Sequence, residues 1–391
     1  MADANAQKSD AAVSLMVGGN RLTLLADGPE RLEALIRLID EAKESLRVLY
    51  YIFLGDASGT RVRDALIAAA ERGVKVSLLV DGFGSDTAKE DFFKPLTDTS
   101  CQFCRFSPKL GRRYLLRNHQ KLALADGRRV IIGGFNVSDD YFGTVESGAW
   151  RDLGLEVEGD SVACLVRYFD DLFGWTKKPN ARIRDLRRLL RQHTETEGKL
   201  HWLFGGPTRR LSPWARAVRH DLARARRLDM IAAYFSPGPT LLRRSGNVAR
   251  RGRARLITAA KSDNSTTILA ARHTYSLLLR RGFEIYEYQA TKLHTKLFVL
   301  DDVVHIGSAN FDMRSLFLNL EMMLRVDDPA FAAAMHRFVD GEIANSIRIT
   351  PEMHRAKRSL FNRILWGLAY FIVAVADYNV SRRLNFGLDG R

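Results

Sequence analysis

The chain has 391 residues, enough for two domains with substantial cores, and its 46% apolar and 27% charged residues are those of a globular protein. Sixty lysines and arginines against forty-five acids leave a formal charge of +15, which implies an anionic partner, either nucleic acid or the headgroups of an acidic membrane. Three cysteines exclude a disulfide framework, and the N-terminus lacks the basic-then-apolar order of a signal peptide, so a reducing, cytoplasmic setting is expected.

A first unit is expected over residues 20–175. Arg47 to Phe53 reads as a buried strand, Leu66 to Gly73 as an alanine-rich helix closed by its glycine, and Val74 to Val80 as the next strand. Another strand lies near Gln102 to Phe106. Cys101 and Cys104 stand two apart, but a tetrahedral zinc site needs four ligands and no second pair exists, so they read as ordinary strand cysteines and no metal is expected. Then comes His119-x-Lys121-x4-Asp126, a turn at Asp126-Gly127, a strand at Val130 to Ile132, and Gly133-Gly134-Phe135-Asn136.

Residues 176–214 lose the strand pattern and fill with arginine, including Arg182, Arg184, Arg187, Arg188, Arg191, Arg209 and Arg210. Asp185 to Arg191 reads as a short basic amphipathic helix, which is either a headgroup-binding surface or a solvated connector. A second unit, 215–350, repeats the order of the first: a strand at Leu228 to Phe235, a helix at Leu241 to Gly252, and strands at Ala254 to Thr258 and Glu284 to Tyr288. His294-x-Lys296-x4-Asp301, a strand at Val303 to Ile306 and Gly307-Ser308-Ala309-Asn310 follow.

In the tail, 351–391, Phe361, Ile364, Leu365, Leu368, Phe371, Ile372 and Val375 recur at helical spacing. The uncharged run Ile364 to Ala376 is thirteen residues, short of the roughly twenty that cross a bilayer. Arg355, Lys357, Arg358 and Arg363 precede it, and Arg382 and Arg383 follow. An in-plane membrane helix and a helix packed on the sheet of the second unit both fit.

By average composition an H-x-K-x4-D string is expected about 0.02 times in a chain this long, so two copies with matching tails carry meaning. They point to a phosphoryl-transfer enzyme of two similar halves. On a strand, residues i and i+2 share a face, which turns each histidine and lysine toward one site. Asp126 and Asp301 sit at an odd offset, where alternation sends them to the opposite face or into the turn, so orienting or structural work is expected of them. Gly133, Gly134 and Gly307 let the backbone approach a phosphate, and Asn136, Ser308 and Asn310 are candidate neutral donors to its oxygens. Gly134 replaces the hydroxyl that Ser308 brings to the second half. The other seven histidines, His193, His201, His220, His273, His305, His336 and His354, lack such company and read as ordinary.

The paired strings resemble those of the phospholipase D superfamily. Within it, Leu293 to Asp301, Ile306 to Ser315 and Leu318-Asn-Leu-Glu321, with Trp150-Arg-Asp152-x3-Glu156-Val-Glu-Gly159 in the first half, resemble bacterial cardiolipin synthases from about residue 20 to about residue 326. The resemblance implies an α/β fold of two lobes, each a mixed sheet flanked by helices, related by a pseudo-two-fold axis that brings both histidines to one cleft. It implies His119, Lys121, Asp126, His294, Lys296 and Asp301 as the catalytic motif, with His119 forming a covalent phosphohistidine and His294 acting as acid and base. Family spacing assigns Asp152 to orient His119 and Glu321 to orient His294. No cofactor or metal is implied. The implied reaction passes a phosphatidyl group to phosphatidylglycerol or glycerol, at the cytoplasmic face of the cell membrane, with anionic phospholipid rather than nucleic acid as partner. A phospholipase D hydrolase and a nuclease are the alternatives.

Overall fold

A computed structural model describes residues 13–107, 116–194, 196–208 and 211–376. Arg209, Arg210, Arg382 and Arg383 lie outside the described residues. The first lobe runs β1 (Ser14–Val17), β2 (Asn20–Leu25), α1 (Gly28–Asp40), β3 (Ser45–Tyr50), α2 (Ala57–Glu71), β4 (Lys75–Asp81), α3 (Glu90–Thr97) and β5 (Gln102–Phe106). It continues through β6 (Leu122–Ala125), β7 (Arg129–Gly133), α4 (Asp139–Phe142), β8 (Gly154–Glu158), α5 (Cys164–Lys177) and α6 (Ile183–Gln192). The second lobe opens with β9 (Leu200–Gly205), α7 (Pro213–Arg224), β10 (Arg227–Ala232), β11 (Phe235–Ser236), α8 (Pro239–Arg251), β12 (Arg253–Ala259) and α9 (Ser265–Leu279). There follow β13 (Glu284–Tyr288), β14 (Lys296–Leu300), β15 (Val303–Gly307), β16 (Phe311–Asp312), α10 (Met313–Phe317), β17 (Glu321–Asp327), α11 (Pro329–Ala344) and β18 (Ser346–Ile349). Helices α12 (Pro351–Lys357) and α13 (Leu360–Tyr370) and a π-helical turn, Phe371–Ala376, close the described chain.

Each lobe is built on one sheet, and the two share a topology. The first has the order β1-β2-β8-β7-β6-β3-β4-β5 and the second β18-β13-β12-β10-β14-β15-β17-β9. Seven strands correspond, β2-β8-β7-β6-β3-β4-β5 to β9-β17-β15-β14-β10-β12-β13, and each lobe adds one strand at the opposite end of the repeat. The βαβ crossovers make β3, β4 and β5 parallel, as are β10, β12 and β13, while hairpins make the motif-bearing strands antiparallel.

The arginine-rich stretch between the lobes departs from its expected strandless character. Leu200–Gly205 is β9, the edge strand of the second sheet, paired along β17. Its alternation is hidden because nearly every residue is buried, as on a strand covered on both faces. Helix α6 is likewise no free surface: Leu186, Leu189 and Leu190 are buried in the interior and only the arginine side faces water.

Three apolar clusters explain the layering. One lies under α1, α2 and α3 on the outer face of the first sheet, and a second under α7, α8 and α9 on the outer face of the other. The third is shared: Leu124, Ile132 and Leu155 of the first sheet join Leu297, Val299 and Ile306 of the second through α5, α6 and α11. Arg151 adds a part-buried ion pair across the boundary, to Glu342 of α11 at 2.6 Å. Lobes sealed by apolar area and such a charge pair are expected to hold one geometry rather than hinge freely.

Helix α13 uses both faces. Trp366 and Ala369 are buried, His354 stacks on Trp366 and His273 on Tyr370, so the helix packs on α9 rather than directly on the sheet. On the other side Leu360, Phe361, Ile364, Leu368, Phe371 and Ile372 form one exposed stripe, with Phe361 73% exposed. Among the described residues no helix is long and apolar enough to cross a membrane.

Asp229 in β10 is fully buried between Arg255, which grips it with two nitrogens, and His336 of α11, at 2.6 Å. Burial opposes its ionisation, but the hydrogen bonds from Arg255 and His336 outweigh burial and hold the carboxyl far below its usual range. Asp229→Ala takes two of the three carboxylate contacts from the buried Arg255, leaving it Asp340 alone, and removes the partner of His336; it is expected to cost about 3 kcal/mol, read as a lowered midpoint of denaturant unfolding. A midpoint equal to that of the parent would show that the network is energetically idle.

Candidate active site

The two motif strings meet at the boundary between lobes. His119 lies just before β6 and His294 just before β14, and each segment is bonded to the opposite lobe. The His119 amide donates to the Leu320 carbonyl at 2.9 Å and the Leu320 amide to Arg117. By the same pattern the His294 amide donates to Arg151 at 2.8 Å, and the Arg151 amide to Lys292. Leu320 immediately precedes Glu321, and Arg151 immediately precedes Asp152. Each histidine is therefore sewn to the segment that carries the other lobe's carboxylate.

This geometry reverses the expected pairing. His119 Nδ1 faces Glu321 Oε2 at 3.1 Å, and His294 Nδ1 faces Asp152 Oδ2 at 2.6 Å. Spacing suggested a partner within the same repeat, but Glu321 opens β17 and Asp152 stands two residues before β8, both at the lobe boundary, and each presents its carboxylate across it. Both carboxylates are fully buried, and the His119 side chain keeps 14% exposure against 6% for His294.

Charges at the site hold one another. Burial opposes ionisation of Asp152, but Lys296 and His294 outweigh it and keep the carboxyl below its ordinary value. Glu321 is likewise lowered, with His119, Lys121 and Ser308 overcoming burial. Burial and then Lys121 press His119 down, and burial and then Lys296 press His294 down to about 3 despite Asp152. Both imidazoles are thus neutral near pH 7, and a neutral ring donating Nδ1–H to a carboxylate leaves Nε2 as a lone pair. Burial lowers Lys121 strongly and Lys296 to about 8, against the pull of the carboxylates. Each ammonium also donates to the carbonyl of its own motif histidine.

The remaining motif residues divide. Asn136 Oδ1 accepts from the Ile52 amide while its Nδ2 donates to Tyr141, and Asn310 Oδ1 accepts from the Tyr234 amide. These amides fix the chain just beyond β3 and β10. Ser308, expected as a phosphate donor, instead gives its hydroxyl proton to Glu321 Oε2 at 2.5 Å and accepts from the Met322 amide. At the equivalent Gly134, a Cβ would stand 2.4 Å from Asp152 Oδ1. The missing hydroxyl therefore makes room for the carboxylate.

Asp126 and Asp301, grouped with the motif by resemblance, stand at the far ends of β6 and β14, in the hairpin turns. Both occupy left-handed backbone, with φ of 52° and 51°. Asp126 accepts from the amides of Lys43, Glu44 and Ser45, and Asp301 from those of Arg226 and Arg227. They pin the entry of β3 and β10 to the hairpin, which is structural work.

Several neighbours escaped the sequence reading. Tyr51 packs against His119 at 5.0 Å, while Tyr141, Trp150 and Tyr234 surround His294 at 5.2, 5.4 and 6.5 Å between ring centres. Tyr234 donates to Asp263 at 2.7 Å. Buried Arg31 donates to the carbonyls of Ala26, Tyr141 and Asp152, so it steadies the residue that orients His294. The equivalent ends of β3 and β10, each running into a tyrosine, were the available signal. Four histidines read as lacking company also have carboxylates, His193 on Asp171 at 2.7 Å, His220 on Asp221 at 3.3 Å, His305 on Asp221 at 2.8 Å and His336 on Asp229, and these pairs tie elements within a lobe: His336 also donates to the Asp301 carbonyl in the hairpin turn, and none bonds the motif histidines or lysines.

Replacing Asp126 by Ala removes the acceptor of three amides and is expected to cost about 1–3 kcal/mol of stability, seen as a fall in melting temperature. Turnover per folded molecule should be unchanged. A hundredfold fall in kcat in fully folded protein would return Asp126 to the chemistry.

A family model described as "Cardiolipin synthase, PLD-like domain" matches residues 35–169 and 218–341, a span that holds both half-sites. Cardiolipin synthase B of Salmonella typhimurium is 31% identical over 363 residues, covering 88% of this chain and 85% of that protein. Cardiolipin synthase 1 of Bacillus cereus is 29% identical over 362 residues, covering 88% of this chain and 70% of that protein. Phosphatidylserine synthase of Haemophilus influenzae superposes with a TM-score of 0.71 over 95% of this chain and 96% of that one at 14% identity, a likeness of fold. With both lobes matched and such identity sustained along most of the chain, the protein belongs to the cardiolipin synthase family of the phospholipase D superfamily and is a phosphatidyltransferase.

Proposed function

We propose that the chain is a cardiolipin synthase that moves a phosphatidyl group between two phosphatidylglycerol molecules by way of a phosphohistidine. The observation that supports this best is the crossed pairing, His119 on Glu321 and His294 on Asp152, which brings two oriented imidazoles and two lysines together at the lobe boundary. His119 Nε2 attacks phosphorus, the P–O bond to the headgroup glycerol breaks, and that alkoxide takes a proton from His294. The hydroxyl of a second phosphatidylglycerol then gives its proton back to His294 and attacks the phosphohistidine, releasing cardiolipin and restoring His119. Lys121 and Lys296 offset charge on the phosphoryl oxygens. An arriving phosphodiester anion raises the affinity of His294 for a proton, and Asp152 at 2.6 Å steadies the imidazolium.

A transferase must present a lipid alcohol and exclude water. The exposed apolar stripe of α13 supports residence at the cytoplasmic surface of the cell membrane, where the acceptor is concentrated. In vesicles of labelled phosphatidylglycerol the purified protein should yield cardiolipin and glycerol in equal amounts. Phosphatidic acid as sole product would instead mark a hydrolase, and DNA cleavage without lipid turnover would mark a nuclease. His119→Ala and His294→Ala should each lower turnover by about 10²–10⁴-fold, and rapid quenching should place the phosphatidyl adduct on the peptide that contains His119. An adduct on the His294 peptide would exchange the two roles.

The pH dependence has a defined sign. Lys296, pushed down to about 8, is cationic below that pH and neutral above it. In a profile measured with monomeric short-chain phosphatidylglycerol, kcat/KM, which reports groups of the free enzyme, should fall as pH rises through about 8. Lys296→Arg remains charged and should carry the falling limb to higher pH even where its rate is lower. An unmoved limb would assign it to another group.

A further inference from the structure

On the outer face of the second lobe, away from both motif strings, α8, α9 and α13 enclose an open cavity of about 530 Å³. That lies within the range of ligand pockets, about 300–1,000 Å³. Its rim carries three guanidiniums from three places in the chain: Arg280 at the end of α9, Arg358 at the end of α12 and Arg363 in the first turn of α13. All three are exposed, none forms an ion pair among the described residues, and no aspartate or glutamate lines the cavity. Burial and the charge of Arg358 together lower the His273 imidazole on its wall, a sign of positive potential without a counterion. Between the arginines the walls join apolar Leu242, Leu277, Leu360 and Ile364 with the hydroxyl-bearing Thr274 and Ser276.

Leu360 and Ile364 also begin the exposed stripe that continues through Leu368, Phe371 and Ile372. Cavity and stripe are thus one surface, cationic at the rim and apolar below and beside it. Nucleic acid would satisfy the arginines but leave the stripe in water. An acidic protein would meet the same objection. An anionic phospholipid matches both parts, with phosphate oxygens for the guanidiniums and acyl chains for the leucines and isoleucines.

We propose that this cavity is a second, non-catalytic lipid site, which takes the headgroup phosphate of an anionic phospholipid in the bilayer while α13 lies in the interface with its apolar stripe among the acyl chains. The site rests on the lipid-surface reading above and adds a fixed point of attachment. Tyr370, on the cavity wall, donates to the Pro237 carbonyl at 2.7 Å, three residues beyond Tyr234 beside His294. Attachment there sets the lobe that carries His294 at a constant orientation to the membrane.

The test is binding of the full chain to sedimented vesicles at physiological ionic strength, equimolar phosphatidylglycerol and phosphatidylcholine against phosphatidylcholine alone. Arg280→Gln, Arg358→Gln and Arg363→Gln combined should weaken binding to the anionic vesicles by on the order of a hundredfold. A control with the same charge loss in the first lobe, Arg37→Gln, Lys43→Gln and Lys75→Gln, should stay close to the parent. Leu360→Ser with Ile364→Ser should also weaken binding, since the stripe inserts. Circular dichroism melts establish that each variant is folded. Equal losses in pocket and control variants, no loss in the pocket variant, or a parent that ignores anionic vesicles would each overturn the site. Turnover of monomeric short-chain phosphatidylglycerol separates the two readings. A pocket variant that binds like the parent while the enzyme makes cardiolipin sinks the site alone, and a pocket-dependent binder without turnover sinks the transferase reading alone.

Discussion

Everything at the centre of this molecule depends on two hydrogen bonds that cross between lobes, His119 to Glu321 and His294 to Asp152. A repeat that carried its own carboxylate could be catalytically complete alone. Here neither is, because each supplies the imidazole of one half-site and the carboxylate of the other. The shared apolar core and the Arg151–Glu342 pair then have a chemical purpose beyond stability. Hydrogen-bond geometry tolerates only tenths of an ångström, so lobes that shifted against each other would break both orienting contacts together.

The same crossing balances charge. Two lysines face two ionised carboxylates, and their mutual attraction offsets part of the cost of burying ionisable groups near one another. A phosphodiester brings one negative charge into this balance, and on the proposed mechanism the natural compensation is a proton on one imidazole. Substrate binding and arming of the general acid are then one event, so burial that depresses both histidines keeps the enzyme from holding a stray proton when no lipid is bound.

Much of this was legible in the sequence because local rules and the fold agree there. The two H-x-K strings, the glycine-rich tails and the odd offset of Asp126 and Asp301 follow from strand alternation, and the structure puts the histidines and lysines together and the aspartates in the turns. What misled was whatever required knowledge of the space between lobes. Asp152 and His119 share a repeat, and no periodicity tells that Asp152 reaches His294. Strand β9 was hidden for a related reason: buried on both faces, it lacks the polar alternation that marks a half-buried strand. Helix α6 was readable as amphipathic, but only the fold reveals that its apolar side is already covered. Ser308 shows the limit for single residues, since a hydroxyl beside a phosphate site can serve the phosphate or the carboxylate next to it, and distance alone decides.

The near-symmetry of the halves makes their differences informative. Gly134 and Asp152 occupy the space that Ser308 and Glu321 fill in the other half, so the shorter carboxylate comes with the smaller neighbour and the longer one is steadied by a hydroxyl. Around the imidazoles the contrast among the described residues is larger: one tyrosine beside His119, and two tyrosines with a tryptophan beside His294. On the proposed mechanism the departing and the attacking alcohols both exchange their proton with His294 and therefore pass through the same space. Aromatic walls there reduce the room for loosely held water and favour an acceptor with an apolar body, such as a glycerol still attached to its lipid. The balance between transfer and hydrolysis is then set by the lining of one half of the cleft and not by the motif strings, which both outcomes share.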